Sequence, residues 1–129
     1  MITHIRSVSI VVSDCDRALK FYRDAFGFEV TADITDPKSS QNRWLTLKPR
    51  SGQTAFMLLK ASLPDESSRV GKSTHIVLDT DDIQAECEHL KLHGARVLYE
   101  PKRAGWGNAI ETHFSDPDGN IFLLVQQAV

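Results

Sequence analysis

The feature that most narrows what this chain can fold into is an internal repeat. SVSIVVSDCDRALKFYRDAFG, beginning at Ser7, pairs with HIVLDTDDIQAECEHLKLHG, beginning at His75, once one residue is gapped. Gly27 and Gly94 stand at the same separation as Gly52 and Gly119. Self-similarity at a fixed period must be explained before any single motif. In the first copy, Val8, Ile10, Val11 and Val12 predict a strand by β-branching. Ser13 or Asp14 caps a helix over 16–26, with apolar residues at i+3/i+4 spacing, and Gly27 stops it. Strands follow at 28–32, 44–47 and 55–59, with a polar loop at 35–42 and a turn at 49–52. In the second copy a strand at 74–78 leads to a helix over 82–93. Thr80 or Asp81 caps that helix, with Gln84 completing a capping box, and Gly94 ends it. A strand at 95–99, a loop at 100–108 and two strands flanking the Asp116-Pro117-Asp118-Gly119 turn complete the copy. Pro117 presets φ for the first corner of that turn, and Gly119 can take positive φ.

Each half therefore reads β-α-β-β-β. A half this short cannot easily bury both its helix and a sheet face alone, so the halves should pack together. The expected fold is α+β: duplicated βαβββ modules forming a cupped eight-stranded mixed sheet, with helices on the outer face. One domain spans 1–129, with module one at about 1–61, a polar linker at about 62–73 and module two at about 74–129.

Bulk properties exclude several classes of function. With 129 residues there is room for one domain with a real core. A net charge of −2 gives no basic footprint for nucleic acid. The opening segment MITHIRSVSIVV lacks the long apolar core of a secretory leader, and no apolar run approaches a membrane span. A soluble cytoplasmic protein is expected. Cys15 and Cys87 form neither a disulfide framework nor a zinc pattern, and both read as packing.

Several residues invite a chemical reading. His89 and His93 stand four apart, the spacing of a two-histidine metal face, but no zincin Glu lies between them, and the buried stripe is Ile83, Cys87 and Leu90. Solvated surface suits them better. His113 lies on a strand beside Phe114, either on an exposed face or lining a cavity. Trp106 sits in a Gly-Trp-Gly loop near Lys102 and Arg103, where a large ring should pack on something: a pocket as its lid, or a partner subunit. Trp44 reads as core or cavity wall. The acidic run around Asp79, Asp81, Asp82, Glu86 and Glu88 reads as a helix cap and a solvated face.

Asp16-Arg17-Ala18-Leu19-Lys20-Phe21-Tyr22 with Gly27-Phe28, and Phe114-Ser115-Asp116-Pro117-Asp118-Gly119-Asn120, resemble the vicinal oxygen chelate superfamily along the whole chain. That superfamily includes glyoxalases, extradiol dioxygenases, fosfomycin-resistance enzymes and bleomycin-resistance binding proteins. The resemblance implies a homodimer. It also implies four cavity-facing strand positions that hold a divalent metal in the metalloenzymes. By register these are Ser7, Leu58, His75 and Leu123, with Met57 and Leu59 as the neighbours of Leu58. Only His75 keeps a nitrogen ligand, and leucine has no lone pair to offer a cation. No metal or other cofactor is expected.

Two functions of different class remain. One is a metal-free binding protein for a small amphipathic or aromatic organic ligand, walled by Leu58, Leu123, Trp44 and Trp106 with Ser7 and His75 as polar anchors. The other is a glyoxalase- or dioxygenase-like enzyme acting through His75 as acid or base, the one weak catalytic candidate, or through an unrecognised metal site.

Overall fold

The computed structural model describes residues 1–127. The chain is α+β and divides into two compact units, one over residues 1–70 and one from Gly71 onward. The first contains β1 (Ser7–Val12), α1 (Cys15–Phe26), β2 (Glu29–Asp36), β3 (Ser39–Lys48), β4 (Ala55–Lys60) and α2 (Pro64–Ser67). The second contains β5 (Ser73–Asp79), α3 (Ile83–Leu92), β6 (Arg96–Val97), β7 (Lys102–Arg103), β8 (Ile110–Ser115) and β9 (Ile121–Gln126).

Each unit holds one mixed sheet. The first has strand order β1-β4-β3-β2 and the second β5-β9-β8-β6, with β7 added alongside β8. In both, the strand before the helix pairs in parallel with the last strand, and the remaining ladders are antiparallel. A strand must cross over through a helix to pair in parallel, and the repeated β-α-β-β-β order satisfies this twice.

One face of each sheet is covered by its helix. In the first unit, Asp14 caps α1 by accepting from the Asp16 and Arg17 amides, and Gly27 closes it at φ 71°, a left-handed conformation that glycine adopts without a Cβ clash. The α1 side chains Ala18, Phe21, Tyr22 and Ala25 are buried. Phe56 on β4 makes edge-to-face contacts with Tyr22, Phe26 and Phe28 at centroid separations of 5.6, 6.0 and 5.2 Å. Such pairs add to the burial of their own area. Leu45, Leu47, Ile10 and Leu58 complete this core. In the second unit Ile83, Cys87 and Leu90 of α3 are buried, and Phe114 stacks on Phe122 at 5.4 Å.

The turn after β8 is a closed polar network. Asp116 is 4% exposed. Its carboxylate accepts from the Asp118 and Asn120 amides and from Asn120 Nδ2, while Asn120 Oδ1 accepts from the Gly71 amide. Gly119 takes φ 85°, and a Cβ added there would touch the Gly71 Cα at 3.4 Å, an ordinary van der Waals contact.

The structure corrects several sequence expectations. The polar stretch 35–42 is mostly strand: β2 and β3 form a long hairpin turning at residues 37–38. Ladder hydrogen bonds involve only the backbone, so polar side chains do not forbid extension there. The second helix is capped by Asp82, whose side chain accepts from the Ala85 amide, rather than by Thr80 or Asp81. The strand expected over 95–99 is two residues long, and the loop 100–108 contributes the short β7, giving nine strands among the described residues. The linker region includes α2, whose Glu66 carboxylate accepts from the Ser62 and Leu63 amides.

Candidate functional site

Side chains alternate across a strand, and residues paired between strands share a face. The registers therefore assign every position to the helix-covered face or to the opposite, open face. Phe56 faces α1. Its neighbours Met57 and, beyond Leu58, Leu59 behave differently from it. Ser9 pairs with Met57 and Val11 with Leu59, while Met57 also pairs with Thr46. Ser7, Ser9, Met57, Leu59, Thr46 and Trp44 thus lie on the open face.

This displaces one expectation. Leu58 pairs with Ile10, lies on the face shared with Phe56, and is completely buried. It is core under α1 rather than ligand wall. The open positions of β4 are Met57 and Leu59, one residue to either side.

A cavity of about 700 Å³ opens in the first unit. Ile34, Trp44, Met57 and Leu59 supply its apolar wall, with Asp14, Asp36 and Lys60 among its polar lining. Ile34 and Trp44 are direct partners across the β2–β3 hairpin and remain 64% and 47% exposed. Together they make an apolar ledge. Arg43 stiffens the same wall: its guanidinium grips Asp33 through two bonds of 2.9 Å and reaches Asp16 at 2.7 Å. The bidentate geometry fixes the plane of the fork. The hydrogen bond from Arg43 holds the Asp33 carboxyl below the usual carboxylate range. Cys15 also lines the cavity, and burial pushes its thiol up, away from thiolate character. Ile34, Asp36 and Arg43 were hidden from sequence reasoning because they lie in or next to the stretch 35–42, which reads as loop, and so received no strand face.

In the second unit, Val77 pairs with Leu123 and Leu123 with His113, a row of three open-face residues across β5, β9 and β8. Leu123 packs against Ala104, Ala109 and Val125. His113 is half-buried and bonds to the Tyr99 hydroxyl through Nδ1. Tyr99 escaped sequence reasoning because it was read only as the end of a strand over 95–99, and no local signal marks its contact with His113; β6 itself ends at Val97.

His75 is exposed and sits in an irregular stretch of β5, between the pairs Ser73–Ile121 and Val77–Leu123. Its φ is 58°, unusual for a residue with a Cβ. The Ser73 hydroxyl accepts from its amide. Ser7 pairs with Ala55 at the start of β1 and is not part of the 700 Å³ cavity wall. Trp106 is half-exposed at the tip of the turn closed by the Ala104 amide and the Ala109 carbonyl. His89 and His93 are both exposed, with rings 4.6 Å apart.

The four positions that the superfamily resemblance implies as ligands carry residues that do not fit a divalent ion. Ser7, Met57 or Leu59, His75 and Leu123 offer one imidazole and one hydroxyl, where such an ion takes several nitrogen or oxygen donors. Among the described residues, no three His, Cys, Asp or Glu side chains are grouped as ligands.

Comparison with known proteins agrees with the duplicated architecture. The chain is 32% identical to the uncharacterized protein YetH of Bacillus subtilis, over 96% of this chain and 98% of that protein. It is 34% identical to TnmS3, an antibiotic binding protein from Streptomyces sp. CB03234, with a TM-score of 0.80 and 98% of each chain covered. It is also 29% identical to lactoylglutathione lyase GLX1 of Arabidopsis thaliana, over 90% of this chain and 41% of that protein. The sequence profile of the Glyoxalase/Bleomycin resistance protein/Dioxygenase superfamily matches residues 2–124, and the chain belongs to that superfamily.

Proposed function

We propose that this protein binds a small amphipathic, aromatic organic molecule without a metal, in the cavity of its first unit. The observation that carries this reading is the Ile34–Trp44 ledge. Two large apolar side chains are held at an open cavity with Met57 and Leu59 behind them. A flat ring stacked on Trp44 would remove that surface from water, at about 25 cal/mol for each Å² buried. Asp14, Asp16 and Asp36 on the lining face Arg43 and Lys60, a slight excess of negative charge that favours a ligand bearing a positive charge. That TnmS3 is an antibiotic binding protein supports a small organic ligand here. We further propose that the protein works as a cytoplasmic homodimer, and that His75, Ser7, Leu123 and Trp106 touch ligand or partner at the remaining open positions.

The alternative is an enzyme. Lactoylglutathione lyases among the relatives favour it, and it needs His75 as acid or base or a metal held elsewhere. A thermal-shift screen of aromatic and cationic compounds, run with metal analysis of the purified protein, separates the two. Binding predicts stabilisation by a ligand that is recovered unchanged, with no stoichiometric metal. Turnover that is lost on chelation or in His75→Ala would establish the enzyme.

A further inference from the structure

We propose that Tyr99 and His113 form a recognition site on the open face of the second sheet, presenting the His113 Nε2–H to a neutral acceptor oxygen on an otherwise apolar ligand, such as the carbonyl of an aromatic ketone. The inference goes beyond the reading above and does not rest on the Trp44 cavity.

Val77, Leu123 and His113 form a row across β5, β9 and β8. Val77 is 57% exposed and Leu123 half-buried, so two adjacent apolar side chains are offered to whatever lies on this face. The third member is an imidazole. Its Nδ1 meets the Tyr99 hydroxyl. Burial, then the charge of Glu111, push the Tyr99 phenol up, so it keeps its proton; the His113 backbone opposes this more weakly. A protonated phenol can donate to Nδ1, and in this direction, the one proposed, a neutral imidazole carries its hydrogen on Nε2. Tyr99 then holds the tautomer as well as the ring.

The charges around the pair select the ligand. Lys102 Nζ lies 4.8 Å from the Tyr99 ring centroid. Glu111 is the cross-strand partner of Lys102. With a cation and a carboxylate facing each other at the site, an anionic ligand gains from one and loses to the other. A neutral carbonyl needs only the donor. An apolar body on Val77 and Leu123 with one oxygen at His113 uses every group in the row.

The test is NMR on the full chain. A long-range proton–nitrogen correlation should find the His113 proton on Nε2, with mixed tautomers in Tyr99→Phe. Titrations with 2-acetylnaphthalene and with 2-ethylnaphthalene, a near-isostere lacking the acceptor, are followed at the Val77 and Leu123 methyls. The ketone should bind about tenfold more tightly, the factor expected for one net hydrogen bond. His113→Leu should bring the two affinities together, and Tyr99→Phe should reduce the preference to about threefold with the fold intact. A proton on Nδ1, equal affinities in the unaltered protein, or a preference that survives His113→Leu would overturn the proposal. Failure of both compounds to shift these methyls would overturn it as well, while leaving the Trp44 cavity to be judged by its own variant.

Discussion

The two halves of the chain share an order of strands and differ in what those strands carry. The row Ser9–Met57–Thr46 in the first sheet and the row Val77–Leu123–His113 in the second each run from the strand before the helix, through the last strand, to its antiparallel neighbour. In the first, polar groups flank one apolar residue, and Thr46 is already engaged by Thr31 at 2.7 Å. In the second, two apolar residues lead to an imidazole steered by Tyr99. The helix-covered faces differ less: both are mainly aromatic and aliphatic, with the buried Thr112 beside Phe114 and Leu124 in the second. Duplication fixed the positions, and the need to bury a helix kept one face apolar. The other face was free to acquire separate chemistry in each half.

The cores provide the strongest way to break this comparison. Phe56 meets three other rings and Phe122 one among the ring pairs described above. Phe56→Ala should cost about 4 kcal/mol and Phe122→Ala about 3 kcal/mol, within the usual range for emptying a buried aromatic site, as measured by urea denaturation. A reversed order would show that the aromatic cluster does not set the stability of the first unit. Asp116→Ala comes next. It leaves a buried donor on Asn120 and a half-buried one on Asp118 without their acceptor, and a loss of about 2 kcal/mol is expected. The positive-φ glycines sharpen the picture further. Gly27→Ala has open space around its new Cβ and should cost only the conformational penalty, about 1 kcal/mol. Gly119→Ala meets the Gly71 Cα only at van der Waals distance and should cost about as much, through its positive φ alone. A clearly larger loss in thermal unfolding would show that the Gly71 backbone cannot tolerate the added methyl. Trp44→Ala should change stability least, by under about 0.5 kcal/mol, because the ring is already half-exposed.

The sequence displayed the repeat, both helices and the turn at Asp116 because each depends on local signals: period, cap residue, glycine at the helix end. It concealed what depends on pairing between distant segments. The β2–β3 hairpin is polar at its tip, so hydrophobic alternation could not reveal it, and with it went Ile34 and Arg43. Leu58 was placed one residue wrong because a continuous apolar run, Phe56-Met57-Leu58-Leu59, has no internal mark of which face is which. Only the pairing of Ile10 with Leu58 resolves the register. Leu123 was placed on the ligand-facing side because it could be counted from the nearby glycine turn, and it lies on the open face. Tyr99 was read only as a strand end, since no local signal marks its contact with His113.

The account's central claim is that the first unit offers a ring-stacking cavity instead of an ion site. The most direct measurement is fluorescence titration with 9-aminoacridine, a flat aromatic cation, in excess chelator. Trp106→Phe serves as the background, so that Trp44 is the sole tryptophan. The account predicts saturable quenching that chelation leaves unchanged, with affinity falling more than tenfold when Trp44→Phe/Trp106→Phe and Trp44→Ala/Trp106→Phe are compared by calorimetry. Absence of quenching, or quenching that disappears with chelator and returns with nickel, zinc or manganese, would contradict it.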